Sequence, residues 1–282
     1  MPETATAPPP PEPVAGRRPP AAGAAGRRLA ALLLPLLVVA LLLAFWQLAS
    51  RWQPLLEFFN LQPFLVPAPS EIAQALWSDR GLLLENAGVT ALEVVLGLAI
   101  ALVTGCLLAV GLHLSPLARR SVYPLLVASQ TIPIIAIAPI LVVWFGFGIG
   151  PKLAVVALIC FFPVTVNALD GLRSVDPELT RMMRTLDASR LTILRRVEAP
   201  STLPFLFSGV RIASVIAVIG AVFGEWSGAD SGLGHLILVA QGQLQTARVF
   251  AAVVVLSLMA LALFGLLALL EKKFAWWDRR PG

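Results

Sequence analysis

Residues 88–112 read GVTALEVVLGLAIALVTGCLLAVGL, and the only charge among them is Glu93. An α-helix needs about 20 predominantly apolar residues to cross a hydrocarbon core ~30 Å thick. This run meets that length and predicts a membrane-spanning helix. Five further runs carry the same signal, at residues 29–50, 122–146, 153–170, 209–227 and 249–270. The fold expected is an all-α integral membrane protein with about six spans.

The rest of the chain agrees. Of 282 residues, 58% are hydrophobic and 13% charged, with a mean hydropathy of +0.85. Soluble domains have about 25% charged residues, so this chain has too little polar surface to cover a water-soluble globule. Cys106 and Cys160 both lie inside apolar runs and supply neither a disulfide framework nor a zinc site, which takes about four ligands. The net charge of +5 points to membrane orientation rather than nucleic acid. With the N-terminus inside, 17 Lys and Arg residues fall on inside segments and four outside. The excess of basic residues in cytoplasmic segments then predicts that both termini are cytoplasmic.

Residues 1–28 contain eight prolines and no aromatic residue. A segment with so little apolar area cannot offset its ordering entropy and reads as a disordered cytoplasmic N-terminus. The membrane domain is expected over 29–275, with an inside loop at 171–208 and a short cytoplasmic tail at 276–282. The third run carries Pro124, Pro133 and Pro139 and reads as a bent or broken span, because proline lacks a backbone donor. In the first outside loop, Pro69-Ser70-Glu71 opens an amphipathic stretch, Ile72 to Trp77, suited to the interface.

The inside loop spells two short helices and a turn. Asp176 can cap the first, with Pro177 at its first position and Glu178 near the positive end of its dipole. Leu179, Met182, Met183 and Leu186 follow at helical spacing and make one apolar face. Asp187-Ala188-Ser189 breaks the pattern. Ser189 can cap a second helix with Leu191, Leu194 and Val197 on one stripe, ended by Pro200. An apolar face on such a loop must be covered, by the protein's own helices or by a partner's groove, and paired methionines suit an adaptable contact.

Met183 to Ser189, followed by Val197-Glu198-Ala199-Pro200, resembles the EAA loop of permease subunits of binding-protein-dependent ABC importers. Arg181-Met182-Met183 stands at the E-A-A positions and Asp187 at the family's glycine. Aspartate tolerates the left-handed conformation better than most residues. Val197 and Pro200 occupy the family's isoleucine and proline positions. Thr131-Ile132-Pro133, Ala138-Pro139, Trp144-Phe145-Gly146, Gly224-Glu225-Trp226 and Gly232-Leu233-Gly234 are similar to the same permeases. The likeness runs over roughly residues 60–275 and points to the branch importing sulfonates, nitrate, taurine or thiamine pyrimidine precursors. It implies the type I ABC importer permease fold in the cell membrane. It also implies a docking role for Leu179, Arg181, Met182, Met183, Leu186, Asp187, Ala188, Ser189, Val197 and Pro200 in a cleft of an ATP-binding subunit. The partners implied are that ATPase, an extracytoplasmic substrate-binding protein and a second permease copy, expected as a homodimer in the bilayer. No cofactor is expected in this chain, since ATP would be bound by the partner.

Small residues recur every fourth position at Gly97, Ala101, Gly105 and Ala109, and again at Gly209, Ala213, Ala217 and Ala221. Such stripes let helix backbones approach closely in lipid. Ala213, Ala217 and Ala221, continued by Glu225, are expected either at the translocation path or a subunit interface, or in packing within the chain. An acid in a span is costly against lipid, so Glu225 should face protein or water, and Glu93 carries the same two readings. No P-loop motif occurs, so ATP hydrolysis, and any enzyme activity, is expected elsewhere. The alternative function is a self-contained secondary transporter or channel, which usually needs coupling-ion ligands near the midplane. Midspan carboxylates suited to that are absent from the runs.

Overall fold

The computed structural model describes residues 23–52, 62 and 65–275, with side chains from residue 33 onward. The expected tail at 276–282 and residues 1–22 lie outside the described residues. Helix α1 (Gly23–Ala49) forms one unit, and the chain from Ser50 onward a second. α1 starts ahead of the boundary expected at residue 28, because Ala24, Ala25, Arg27 and Arg28 are good helix formers that extend the run backwards.

All the regular secondary structure among the described residues of the second unit is helical. In chain order it holds α2 (Pro69–Ser78), α3 (Arg80–Leu114), α4 (Pro116–Ser129), α5 (Ile134–Phe145), α6 (Ile149–Arg173), α7 (Pro177–Thr185), α8 (Arg190–Ile193), α9 (Ala199–Trp226), α10 (Leu233–Gly242) and α11 (Thr246–Phe274). The amphipathic stretch expected at Ile72–Trp77 is the body of α2.

Four stretches among the described residues are long and apolar enough to cross a membrane: α3, α6, Arg190–Trp226 and α11. A fifth is present if α4 and α5, bent by 100° at their junction, count as one broken span. The described residues thus give four or five clear spans where the sequence suggests about six. The sixth candidate, the run at 29–50, lies within α1, whose stretch Leu33–Ala49 is an apolar helix of 17 residues.

The bundle is built around α6. The small-residue stripe of α3 meets it on one side and that of α9 on the other. A Cβ on Gly97 would lie 2.5 Å from Val156 Cβ, and one on Gly209 2.8 Å from the Pro163 carbonyl oxygen. No side chain fits at either place, which is why glycine stands there. Ala101, Ala109, Ala213, Ala217 and Ala221 are fully buried in these seams. The close approach supplies van der Waals contact where lipid offers no hydrophobic drive for association.

The break between α4 and α5 falls at Pro133, while Pro124 and Pro139 lie within helices. The amides of Gln130, Thr131 and Ile132 bond three residues back, to the carbonyls of Val127, Ala128 and Ser129. This tightened turn ends α4, and the prolyl nitrogen has no hydrogen with which to continue it.

Helices extend from both sides into the stretch 171–208 expected as the inside loop. α6 runs to Arg173, and from Arg190 the chain is helical as far as Trp226. Pro200, expected to end the second short helix, is instead carried inside this long helix. A π-helical turn at Leu194–Glu198, whose Ala199 amide bonds to the Leu194 carbonyl, widens the ladder just ahead of the proline. The hydroxyls of Ser201 and Thr202 donate to the Val197 and Glu198 carbonyls, at 2.9 and 2.7 Å, supplying donors beside the missing prolyl N–H.

Candidate coupling site and its buried anchors

Both caps expected in the inside loop are present. The Asp176 side chain accepts from the Glu178 amide at 2.8 Å, and the Ser189 hydroxyl accepts from the Thr192 amide at 3.2 Å. Between them the chain turns at Asp187, which has φ +58°. The Ala188 amide bonds to the Met183 carbonyl and the Asp187 amide to that of Arg184, both at 3.0 Å. This is a Schellman termination with aspartate at the left-handed position that glycine usually fills.

The face so presented is open. α7 has no buried residue. Met182 is 54% and Leu186 70% exposed, and Leu179 and Leu191 are exposed with them. Arg181, Asp187, Ser189 and Pro200 are exposed, while Met183, Ala188 and Val197 are half-buried. Apart from the half-buried Met183, the apolar stripe of α7 is therefore left open by the chain's own bundle.

The segment that follows is firmly held. Ile193 is fully buried, and Leu194 joins an apolar cluster with Ala109, Leu112, Leu126, Leu169 and Leu172. Glu198, delivered inward by the π turn and only 3% exposed, binds two partners. Its Oε1 accepts from Arg190 Nη1 at 2.7 Å, and its Oε2 lies 3.0 Å from His113 Nε2 at the end of α3. Arg190 Nη2 is also 2.7 Å from His113 Nε2. The turn at Asp187 thus leads into a stem tied to α3 by a buried carboxylate. Sequence reasoning missed this group; its signal was one acid, Glu198, in an otherwise basic stretch.

At the other end of the same helix, about 40 Å from Glu198 by the rise of 1.5 Å per residue, stands Glu225. It is 1% exposed. Its Oε1 accepts from the Thr90 hydroxyl at 2.6 Å, and its Oε2 from the amides of Gly234 and His235. Asn86 Oδ1 accepts from the Gly232 amide and Thr90 Oγ1 from the Leu233 amide, both at 2.8 Å. The four amides at the start of α10 that no helical carbonyl can reach are therefore all satisfied by side chains of α3 and α9. Close by, Lys152 Nζ donates to Glu93 Oε1 at 2.8 Å in a buried ion pair. Glu225 faces protein, as expected of a membrane acid, and its role in the fold is that of a helix cap. Ala213, Ala217 and Ala221 present no side chain to a free surface either; of the alternatives the sequence leaves open, their burial matches packing within the chain.

A multi-pass helical bundle with a free amphipathic helix at one end has the architecture of a transport permease. The chain belongs to the family described as binding-protein-dependent transport system inner membrane component, whose model matches residues 101–276. It is 38% identical over 241 residues to the formylaminopyrimidine transport permease protein ThiX of Halalkalibacterium halodurans, covering 85% of this chain and 94% of that one. It is 36% identical over 240 residues to the riboflavin transport system permease protein RibX of Chloroflexus aurantiacus, covering 84% and 87%. With the taurine transport system permease protein TauC of Escherichia coli it shares 28% over 237 residues, covering 81% and 86%. The fold is shared with the inward-facing MetNI methionine ABC transporter, at TM-score 0.56 and 18% identity, covering 67% of this chain and 96% of that one. The chain is thus a multi-pass inner-membrane permease subunit of an ABC importer. Its partners are an ATP-binding subunit and a substrate-binding protein, and it is a transport component rather than an enzyme.

Proposed function

We propose that this permease imports a small polar nitrogen heterocycle of the vitamin-precursor class, driven by ATP hydrolysis on its partner. The observation that carries the driven mechanism is the uncovered apolar face of α7, set on a stem that is anchored by Glu198 and continuous to Glu225. A channel or self-contained transporter has no use for such a face. The solute class is supported by the likeness to the formylaminopyrimidine and riboflavin permeases, whose identity exceeds that to the taurine permease. The two-fold assembly of two copies and six spans per copy, with α1 as the first, belong to the same proposal.

The path for the solute runs past the break between α4 and α5. A cavity of about 400 Å3 lies there, lined by Gln130, Ile132, Pro133, Leu158 and Phe161 among others. Irregular backbone at membrane depth is tolerated where it is buried in protein or lines a water-filled cavity, and a solute path here would account for the break. The experiment is uptake into proteoliposomes holding the permease, its ATPase and its binding protein. Labelled formylaminopyrimidine or riboflavin accumulates only with ATP inside and binding protein outside. Accumulation without ATP would favour the self-contained transporter.

Orientation has its own test. With Cys106→Ala and Cys160→Ala removing the native thiols, Ser78→Cys reacts with an impermeant maleimide in intact cells and Ser189→Cys does not. Reaction of the latter would reverse the topology.

Glu198 supplies a further expected result. Glu198→Gln keeps the shape but weakens the ties to Arg190 and His113. Residues along a coupling route commonly change coupling by about 0.5–2 kcal/mol, or ~2- to 30-fold. Uptake per ATP hydrolysed falls within that range while the ATPase still co-purifies.

A further inference from the structure

We propose that the pocket between the start of α4 and the end of α6 binds the phosphate group of an anionic membrane lipid. The cavity measures about 340 Å3 and is lined by Arg119, Arg120, Tyr123, Leu169, Asp170 and Arg173. Two helices bring three guanidinium groups to it against a single carboxylate. Among the described residues none of the three arginines, nor Asp170, makes an ion pair or a side-chain hydrogen bond.

The location sharpens the argument. Arg119 and Arg120 follow directly on the first turn of α4, which carries no acid. The start of a helix is its positive end and favours anions. Two arginines there are poorly placed unless an anion sits with them, and the basic-inside rule explains their side of the membrane but not their convergence with Arg173. Planar guanidinium forks match a phosphate bidentately. Tyr123 and Leu169 also belong to the apolar cluster that holds Leu112 and Leu194. The pocket is therefore at the end of the bundle bearing the turn at Asp187, where the spans α3 and α6 end. Leu117, two residues ahead of Arg119 on α4, is exposed and offers acyl chains an apolar surface. Basic pockets between spans at this level are known binding sites for anionic headgroups. The proposal requires neither the solute nor the docking role assigned above.

The test is native mass spectrometry of the full chain, delipidated in a neutral detergent, with dioleoylphosphatidylglycerol, dioleoylphosphatidylcholine and inorganic phosphate as separate probes. One phosphatidylglycerol per chain binds at least tenfold more tightly than phosphatidylcholine, and raises the melting temperature. Arg119→Gln/Arg120→Gln/Arg173→Gln together remove both effects. Should that variant fail to fold, Arg173→Gln alone weakens phosphatidylglycerol binding severalfold, because its side chain has no partner in the fold to lose. Phosphatidylglycerol binding that ignores these substitutions would overturn the proposal. So would arginine-dependent binding of inorganic phosphate that displaces the lipid, which would assign the pocket to a free anion.

Discussion

Met182→Asp releases the ATPase subunit and reduces uptake to background. Met182 stands on the apolar face of α7 between Leu179 and Leu186, all three exposed in the chain itself. Central apolar anchors of an interface typically cost 2 kcal/mol or more when truncated, about thirtyfold in affinity. A carboxylate placed in the same groove adds an unpaired buried charge to that loss. The fold should be indifferent, since α7 has no buried residue, so the variant reaches the membrane at normal level and melts normally. Arg181→Glu is the contrast. Its charge is exposed, and rim charges alter association rate and salt dependence more than affinity. Co-purification then falls mildly, and more at low ionic strength, where exposed charges are least screened.

Glu225→Ala acts on the fold rather than on docking. It leaves the amides of Gly234 and His235 without their acceptor in a buried place, while the Thr90 hydroxyl can still donate to the Asn86 carbonyl. Each unsatisfied buried group costs about 1–3 kcal/mol, so a loss of about 2–6 kcal/mol is expected for the two amides. Little folded protein should be recovered in detergent at 37 °C. Glu225→Gln retains an acceptor oxygen and should lose roughly half as much or less. A normal melting temperature for Glu225→Ala would show that α10 holds its place without this cap.

These two residues mark where sequence reading succeeds and where it stops. The docking turn is local. Its caps, its apolar spacing and the left-handed position at Asp187 all lie within 14 residues of one another (176–189) and follow from helix geometry. The spans are legible for the same reason, and Pro133 marks the bend in the third. Glu225 is legible only as an acid that must face something. Its partner Thr90 is 135 residues away, and the Gly232 amide is held from 146 residues away; no periodicity carries that information. The stripe of Ala213, Ala217 and Ala221 shows that a helix comes close, but a subunit neighbour and a neighbour in the same chain demand the same small residues. Pro200 reads as a terminator because the rule assumes an α-helical ladder, and the π turn before it removes that assumption.

The central claim is that the exposed face of α7 meets the ATPase. Met182→Cys, in a chain carrying Cys106→Ala and Cys160→Ala, can be treated in inverted membrane vesicles with a short bifunctional maleimide. The account predicts a cross-link to the ATP-binding subunit whose yield changes when nucleotide is added. A cross-link confined to the permease's own helices, or none to the ATPase under any nucleotide condition, would contradict it.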